Sequence, residues 1–213
     1  MSSDNGPEAI AQETSLAVGR DSNGPFRGVK RENWEGGVRV PFTVRWPARI
    51  APGTVSTHAV SQVDILATIA EITGYKLSGD EAQDSESFLA VLEGVQMPAE
   101  QRASFITHSV DGQFALVDVT GQWKYIDGTA SAGNRVTSWD ADDQVIRNVR
   151  GTIRSNPGQL FNLAEDPGER HNLLLVPDNA ALHRTTDMRA ILNGIRGDTT
   201  FGSEGGSNVP NQD

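Results

Sequence analysis

Between residues 104 and 126 the chain runs as short apolar stretches, Ser104–Val110, Gln113–Val119 and Gln122–Ile126, parted by Asp111-Gly112 and Thr120-Gly121. Stretches this short, rich in β-branched and aromatic residues and joined by glycine turns, leave no room for crossover helices. Neighbouring strands must then run antiparallel, as a meander. Gln159–Leu163 reads as one more strand, and Asn179–Leu192 as a helix that should pack on the sheet. The C-terminal half is therefore expected to be an antiparallel sheet with one covering helix.

The remainder is less regular. Residues 1–37 are rich in Gly, Ser, Asn and charge, and are expected to build no core. A helix is predicted over Pro7–Val18, with Pro7 and Glu8 favourable at its start. Gly19 and the Asp21-Ser22-Asn23-Gly24-Pro25 cluster end it. Val38–Trp46 reads as a strand with Pro41 at its start or on an edge, closed by Pro47 and Pro52-Gly53. Gln62–Thr73 reads as a helix with Val63, Leu66, Ile69 and Ala70 on its buried face and Gly74 as its stop. A shorter helix is predicted over Ser87–Leu92. Asp127–Asn156 is polar and poorly periodic, and so reads as a long loop, in which Trp139 is either a surface excursion or part of a substrate rim. After Gly197 the composition predicts a disordered tail.

Charge and composition exclude several functions. Eighteen Lys and Arg against 28 Asp and Glu give a net charge of −10, which repels the phosphates of a nucleic acid. No run of about 18 apolar residues could span a membrane. Met1-Ser2-Ser3-Asp4-Asn5-Gly6 lacks the basic start and apolar stretch of an export signal. The chain contains no cysteine, which rules out disulfides, zinc–thiolate sites and a cysteine nucleophile within it.

Several residues point to chemistry. Adjacent Asp4 and Asn5 read either as a turn or as two hard oxygen ligands suited to Ca²⁺ or Mg²⁺. Lys30, in a glycine-rich segment, is a surface lysine or a compact positive charge able to stabilise an anionic oxygen. Trp34-Glu35-Gly36-Gly37 reads as a structural turn into the following strand, with Glu35 paired to backbone or an arginine. His58 and His108 are the histidines nearest to candidate functional loops. Asp64 reads as a helix-start carboxylate, and Arg27 and Arg39 as ion-pair partners for the abundant acids.

Three segments carry a resemblance. They are Ser3-Asp4-Asn5-Gly6; Phe26-Arg27-Gly28-Val29-Lys30 with Trp34-Glu35-Gly36-Gly37-Val38-Arg39-Val40-Pro41 and Trp46-Pro47; and Leu160-Phe161-Asn162-Leu163 with Asp166-Pro167-Gly168-Glu169 and Asn172-Leu173. Val63-Asp64 with Thr68, Trp123-Lys124-Tyr125, and His108-Ser109 with Gly112 and Phe114-Ala115 add to it. In this order they resemble the C-terminal part of formylglycine-dependent sulfatases, arylsulfatase-like members of the alkaline phosphatase superfamily, over residues 2 to about 175.

The resemblance implies a truncated α/β fold, in which the end of a large mixed-sheet domain over 1–100 precedes a small C-terminal antiparallel-sheet domain over 101–196 and a tail over 197–213. It implies that Asp4 and Asn5 bind calcium, that Lys30 contacts the sulfate, and that His108 lines the substrate entrance. The cofactors would be Ca²⁺ and a formylglycine, and the substrate a sulfated small molecule or glycan. That formylglycine arises from Cys or Ser heading a Cys/Ser-x-Pro-Ser/Ala-Arg motif. Here the only Ser-x-Pro, Ser155-Asn156-Pro157, continues as Gly158-Gln159 and breaks the motif.

The nucleophile, the paired N-terminal aspartates and any export signal are expected on a missing N-terminal portion, which a separate gene could encode. Three readings follow: the C-terminal part of a sulfate ester hydrolase, a catalytically inactive binding remnant, or part of a phosphonate or phosphate ester hydrolase on the same scaffold.

Overall fold

In the computed structural model of the chain, β1 (Ser104–His108), β2 (Phe114–Asp118), β3 (Trp123–Ile126) and β4 (Gln159–Asn162) form one sheet. The structure describes residues 1–95, 104–110, 112–118, 120–128, 158–175 and 178–197. The strands lie in the order β1-β2-β3-β4, each antiparallel to the next, as the turn spacing predicts. Gly112 and Gly121, at φ of 73° and 67°, supply the left-handed backbone those turns need.

Side chains alternate across the sheet and give it two buried faces. On one face Leu116, Tyr125 and Leu160 meet Ala181, Met188 and Leu192 of the C-terminal helix, Asn179–Arg196. Asp178 caps that helix by accepting the Ala181 N–H at 2.7 Å, and Gly197 closes it at φ 65°. The helix runs four residues beyond the expected end at Leu192. On the other face Ala115, Ile126, Phe161 and Leu163 enclose Trp34.

Trp34 overturns the expectation that residues 1–37 build no core. Its side chain is 1% exposed, and its indole N–H donates to Gln159 Oε1 at 3.1 Å. The Arg27 guanidinium lies 4.1 Å from the ring centroid and donates to the Glu169 carbonyl at 3.0 Å. A large aromatic with its polar atom satisfied contributes more apolar burial than its polar neighbours suggest. Only α1 (Ala9–Ala17) of this region is a helix of more than one turn, close to the predicted bounds.

Two further expectations are corrected. Val38–Trp46 is not a strand: Glu35–Val38 forms a single helical turn, α2, and the rest is irregular. Its contacts with the N-terminus are one antiparallel bridge, Ser2 to Phe42, and the paired bonds between Met1 and Thr43. β-branched residues make a strand only where a ladder is available, and Pro41 contributes no N–H to one.

The Gln62–Thr73 helix begins as a 3₁₀ turn over Gln62–Asp64 and continues as α3 (Ile65–Thr73), ending at Gly74 in the left-handed region. Ala67, Thr68 and Ala70 face inward, whereas Val63, Leu66 and Ile69 remain 51–53% exposed. Hydrogen bonds to the 85–88 segment set this rotation. Ser85 Oγ accepts the Ala67 N–H at 3.0 Å, Asp64 Oδ1 accepts the Glu86 N–H at 3.0 Å, and Thr68 Oγ1 accepts the Phe88 N–H at 3.1 Å. Asp64, which also accepts the Ser61 N–H at 3.2 Å, is thus the helix-start carboxylate expected. α4 (Leu89–Leu92) is shorter than the predicted Ser87–Leu92. Most of the predicted loop Asp127–Asn156, including Trp139, and the tail after Gly197 lie outside the described residues.

The Trp34 segment is locked to the sheet by buried charge. Lys124, on the Trp34 face of β3 and without solvent exposure, places Nζ 2.9 Å from Glu35 Oε1 and 3.0 Å from Glu169 Oε1. Arg39, half exposed, pairs with the other Glu35 oxygen. Burial pushes the Glu35 carboxyl upward, but the charges of Lys124 and Arg39 outweigh it and hold its pKa below the usual range. Burial opposes the charge on Lys124, and its two carboxylates more than restore it. Among the described residues Glu169 is paired with the single cation Lys124 and faces Glu35 as a like charge, so burial raises it to about 7.

Backbone proximity adds a second lock. A Cβ on Gly36 would fall within 3.0 Å of the Gly28 and Arg27 carbonyl oxygens. Glycine is required there because the chains touch, and not for the turn the sequence suggests. Gly36→Ala is expected to cost roughly 3 kcal/mol or to prevent folding, whereas Gly79→Ala, in open space, should leave urea stability within about 0.5 kcal/mol. Equal costs would refute the close-approach argument.

Lys124→Met should cost about 3–5 kcal/mol by leaving Glu169 and one oxygen of Glu35 buried without their cation. The pH dependence is also determined. Folded Glu169 keeps its proton up to about pH 7, whereas the unfolded side chain releases it near 4.5. The native state therefore holds more protons in that window, and stability falls as pH rises through it, by up to about 1.4 kcal/mol per pH unit. Urea melts at pH 5, 6 and 7 should show this slope in the native sequence and its loss in Glu169→Gln. A native slope of the opposite sign relative to the variant would overturn the assignment.

Candidate functional site

The Asp4-Asn5-Gly6 loop sits against the segment that the buried charges fix. The Gly6 N–H donates to the Gly37 carbonyl at 2.9 Å, and the Lys30 N–H to the Pro7 carbonyl at 2.9 Å. Gly6 nests so closely on Gly36 that a Cβ there would strike its carbonyl. Gln62 Nε2 donates to Ser2 Oγ at 3.0 Å and to the Ser3 carbonyl, tying the loop to the start of α3. Asp4 Oδ1 accepts the Asn5 N–H at 3.0 Å.

From the sheet side, Asn33 Nδ2 donates to the Gln113 carbonyl at 2.6 Å, and Thr107 Oγ1 donates to Asn33 Oδ1 at 3.2 Å. The Val110 N–H donates to the Arg31 carbonyl at 3.2 Å. These bonds bring the β1–β2 hairpin alongside the loops. Between them lies an open cleft of about 930 Å³, lined among others by Asp4, Asn5, Arg31, Arg39, His58 and His108.

Of the predicted site residues, Asp4, Asn5 and His108 meet in this cleft, although 104 positions of sequence part the first from the last. Asp4 is exposed and Asn5 half-buried. His108, at the end of β1, lies 6.0 Å from the Phe114 ring, with Nδ1 3.1 Å from the Ser109 carbonyl oxygen. Lys30 is half-buried and is not among the residues that line the cleft; its Nζ lies 3.3 Å from Glu8 Oε1. Arg39 is an ion-pair partner, as expected. Arg27 stacks on Trp34 and donates to a backbone carbonyl.

The sequence reading missed Arg31 and Glu8. Arg31 forks onto the Glu8 carboxylate, with Nη1 2.6 Å from Oε2 and Nη2 2.9 Å from Oε1. That hydrogen bonding holds the Glu8 carboxyl below the ordinary glutamate range. The two residues stand 23 positions apart and no spacing rule joins them. In the sequence Lys124 stands out only as part of Trp123-Lys124-Tyr125. The sole local sign was a lysine flanked by Trp123 and Tyr125 in a four-residue strand.

Chemically, the cleft joins two hard oxygen donors to cationic and imidazole groups. Among the described residues no group of three or more His, Cys, Asp and Glu could hold a metal ion. Asp4 and Asn5 thus match the ligand type that calcium takes but supply only part of its six to eight oxygens. No helix among the described residues is long and apolar enough to cross a membrane.

Residues 1–75 match the family model described as Sulfatase. The chain is 32% identical to a steryl-sulfatase of Mus musculus over 168 residues, which is 76% of this chain and 26% of that protein. It is 32% identical to an N-acetylgalactosamine-6-O-sulfatase of Bacteroides thetaiotaomicron over 177 residues, 81% of this chain and 32% of the relative. A solved structure described under the metabolism of multiple glycosaminoglycans by Bacteroides thetaiotaomicron superposes with a TM-score of 0.70 at 29% identity, over 92% of this chain and 38% of that one. The chain belongs to the sulfatase family, and it spans between 26% and 38% of the length of these relatives.

Proposed function

We propose that the chain is the C-terminal part of a formylglycine-dependent sulfatase and supplies one wall of a site that hydrolyses sulfate esters. The observation that carries this reading is the meeting of Asp4, Asn5 and His108 in one cleft, whose wall includes Arg31, the sequence neighbour of Lys30. In this reading Asp4 and Asn5 offer their side-chain oxygens to calcium, which when bound supplies positive charge against the sulfate oxygens. Lys30 donates an ammonium hydrogen bond to the sulfate and gains strength as negative charge grows on the leaving oxygen. His108 borders the entrance and contacts the alcohol portion of the ester. The relatives' names include both a steryl-sulfatase and a sugar sulfatase, and the reading goes no further than a sulfated small molecule or glycan.

The nucleophile is assigned outside this chain, because the sequence holds no cysteine and no intact Ser-x-Pro-Ser/Ala-Arg. A separately supplied N-terminal portion bearing formylglycine is the partner this requires. The net charge of −10 gives an anionic ester no general attraction, so the pull on it must be local.

The pure chain is expected to show no turnover of 4-nitrophenyl sulfate above buffer and only weak, calorimetrically shallow Ca²⁺ binding. Adding a formylglycine-bearing N-terminal portion should restore turnover, and Lys30→Ala in that mixture should lower kcat by roughly 10²-fold. Hydrolysis by the chain alone, or full activity of the Lys30→Ala mixture, would overturn the proposal.

A further inference from the structure

Arg31 adopts φ 80°, one of three non-glycine residues with positive φ among those described. The left-handed region is costly for a side chain that long, so surrounding contacts must hold it there. The flanking backbone supplies them: the Lys30 N–H bonds the Pro7 carbonyl, and the Arg31 carbonyl accepts the Val110 N–H. The result is that Lys30 and Arg31, neighbours in sequence, aim both cations at the same carboxylate.

Glu8 receives three contacts from them. Lys30 Nζ stands 3.3 Å from Oε1, and the two Arg31 terminal nitrogens stand 2.9 Å from Oε1 and 2.6 Å from Oε2. All three side chains are between 35% and 41% exposed, so an anion from solvent can reach them. A guanidinium fork binds the edge of a sulfate as it binds a carboxylate, through two parallel N–H···O bonds, and a neighbouring ammonium adds a third. Arg31 lines the same cleft as Asp4 and Asn5.

We propose that Lys30 and Arg31 form a two-cation clasp for a sulfate group, and that Glu8 is an internal carboxylate occupying the clasp until an external sulfate displaces it. Arg31 then is a second sulfate-binding residue, and Glu8 sets how readily the clasp opens. The identification of the anion as sulfate rests on the sulfatase reading; the clasp itself rests on the geometry of Glu8, Lys30 and Arg31.

The test uses the intact chain and inorganic sulfate, titrated at constant ionic strength against chloride and followed by amide NMR. Glu8→Gln removes the competing charge and keeps the side-chain shape. It should bind sulfate ~5- to 10-fold more tightly than the native chain, the gain expected when exposed ion pairs are no longer in competition. The shifts should centre on residues 8, 30 and 31. Adding Arg31→Gly should abolish the gain. Glycine accepts φ 80° without strain, so that loss would not reflect unfolding.

Sulfate binding by Glu8→Gln no tighter than by the native chain, or a gain that survives Arg31→Gly, overturns the clasp. The outcomes separate from those of the functional reading. A working clasp without turnover in the reconstituted mixture defeats only the sulfatase assignment, and turnover with no gain in Glu8→Gln defeats only the clasp.

Discussion

A lysine with no solvent exposure survives in a protein only where carboxylates replace the water it has lost. Lys124 meets two, Glu35 and Glu169, drawn from α2 and from the loop after β4. Everything that places the cleft hangs from this cluster. It fixes the Glu35-Gly36-Gly37 turn against the sheet, and Gly37 in turn receives the N–H of Gly6 beside Asp4 and Asn5. Such a cluster adds little net stability over an apolar equivalent, because desolvation offsets most of its attraction. Its use here is positional, since Lys124 ties α2 and the loop after β4 to β3 at once.

The three segments that identify the family are thus the three parts of one assembly. The Glu169 loop grips the Trp34 segment through the Lys124 cluster and the Arg27 bond. The Trp34 segment then cradles the Asp4 loop through contacts so close that Gly6 and Gly36 leave no space for a side chain. The charge economy of this assembly is unusual. Glu35 shares Lys124 and Arg39 and stays ionised, while Glu169, paired with Lys124 and with a like charge beside it, is the group that takes up a proton near neutrality.

The cleft itself is built from loops held by a rigid sheet, the arrangement in which binding groups are most often found. It gathers Asp4 and Asn5 from the N-terminal loop, Arg31 and Arg39 from the Trp34 segment, and His108 from β1. Arg31 lines it from a backbone held at positive φ, and Glu8 from the start of α1 neutralises part of its charge and of that of Lys30. In a chain with net charge −10, these few cations are the local attraction available to an anionic group.

The sequence by itself determined the elements whose signals are local. Glycine turns and β-branched runs specified the meander, the Asn179–Leu192 stretch marked the C-terminal helix, and Gly74 specified the end of α3. It also carried the motif set that marks the family, and with it Asp4, Asn5 and His108 as residues to look for. Tertiary structure alone decided which side of α3 faces inward, because hydrogen bonds from the 85–88 segment outweighed the apolar pattern of Val63, Leu66 and Ile69. It decided that Val38–Trp46 would not be a strand, because residue preference cannot supply a ladder partner. It also decided the pairing of Lys124 with Glu35 across 89 residues, and of the Glu35 N–H with Glu169 across 134. Turns and periodicity act through neighbours along the chain, whereas a buried charge takes whichever opposite charge the folded backbone delivers to it.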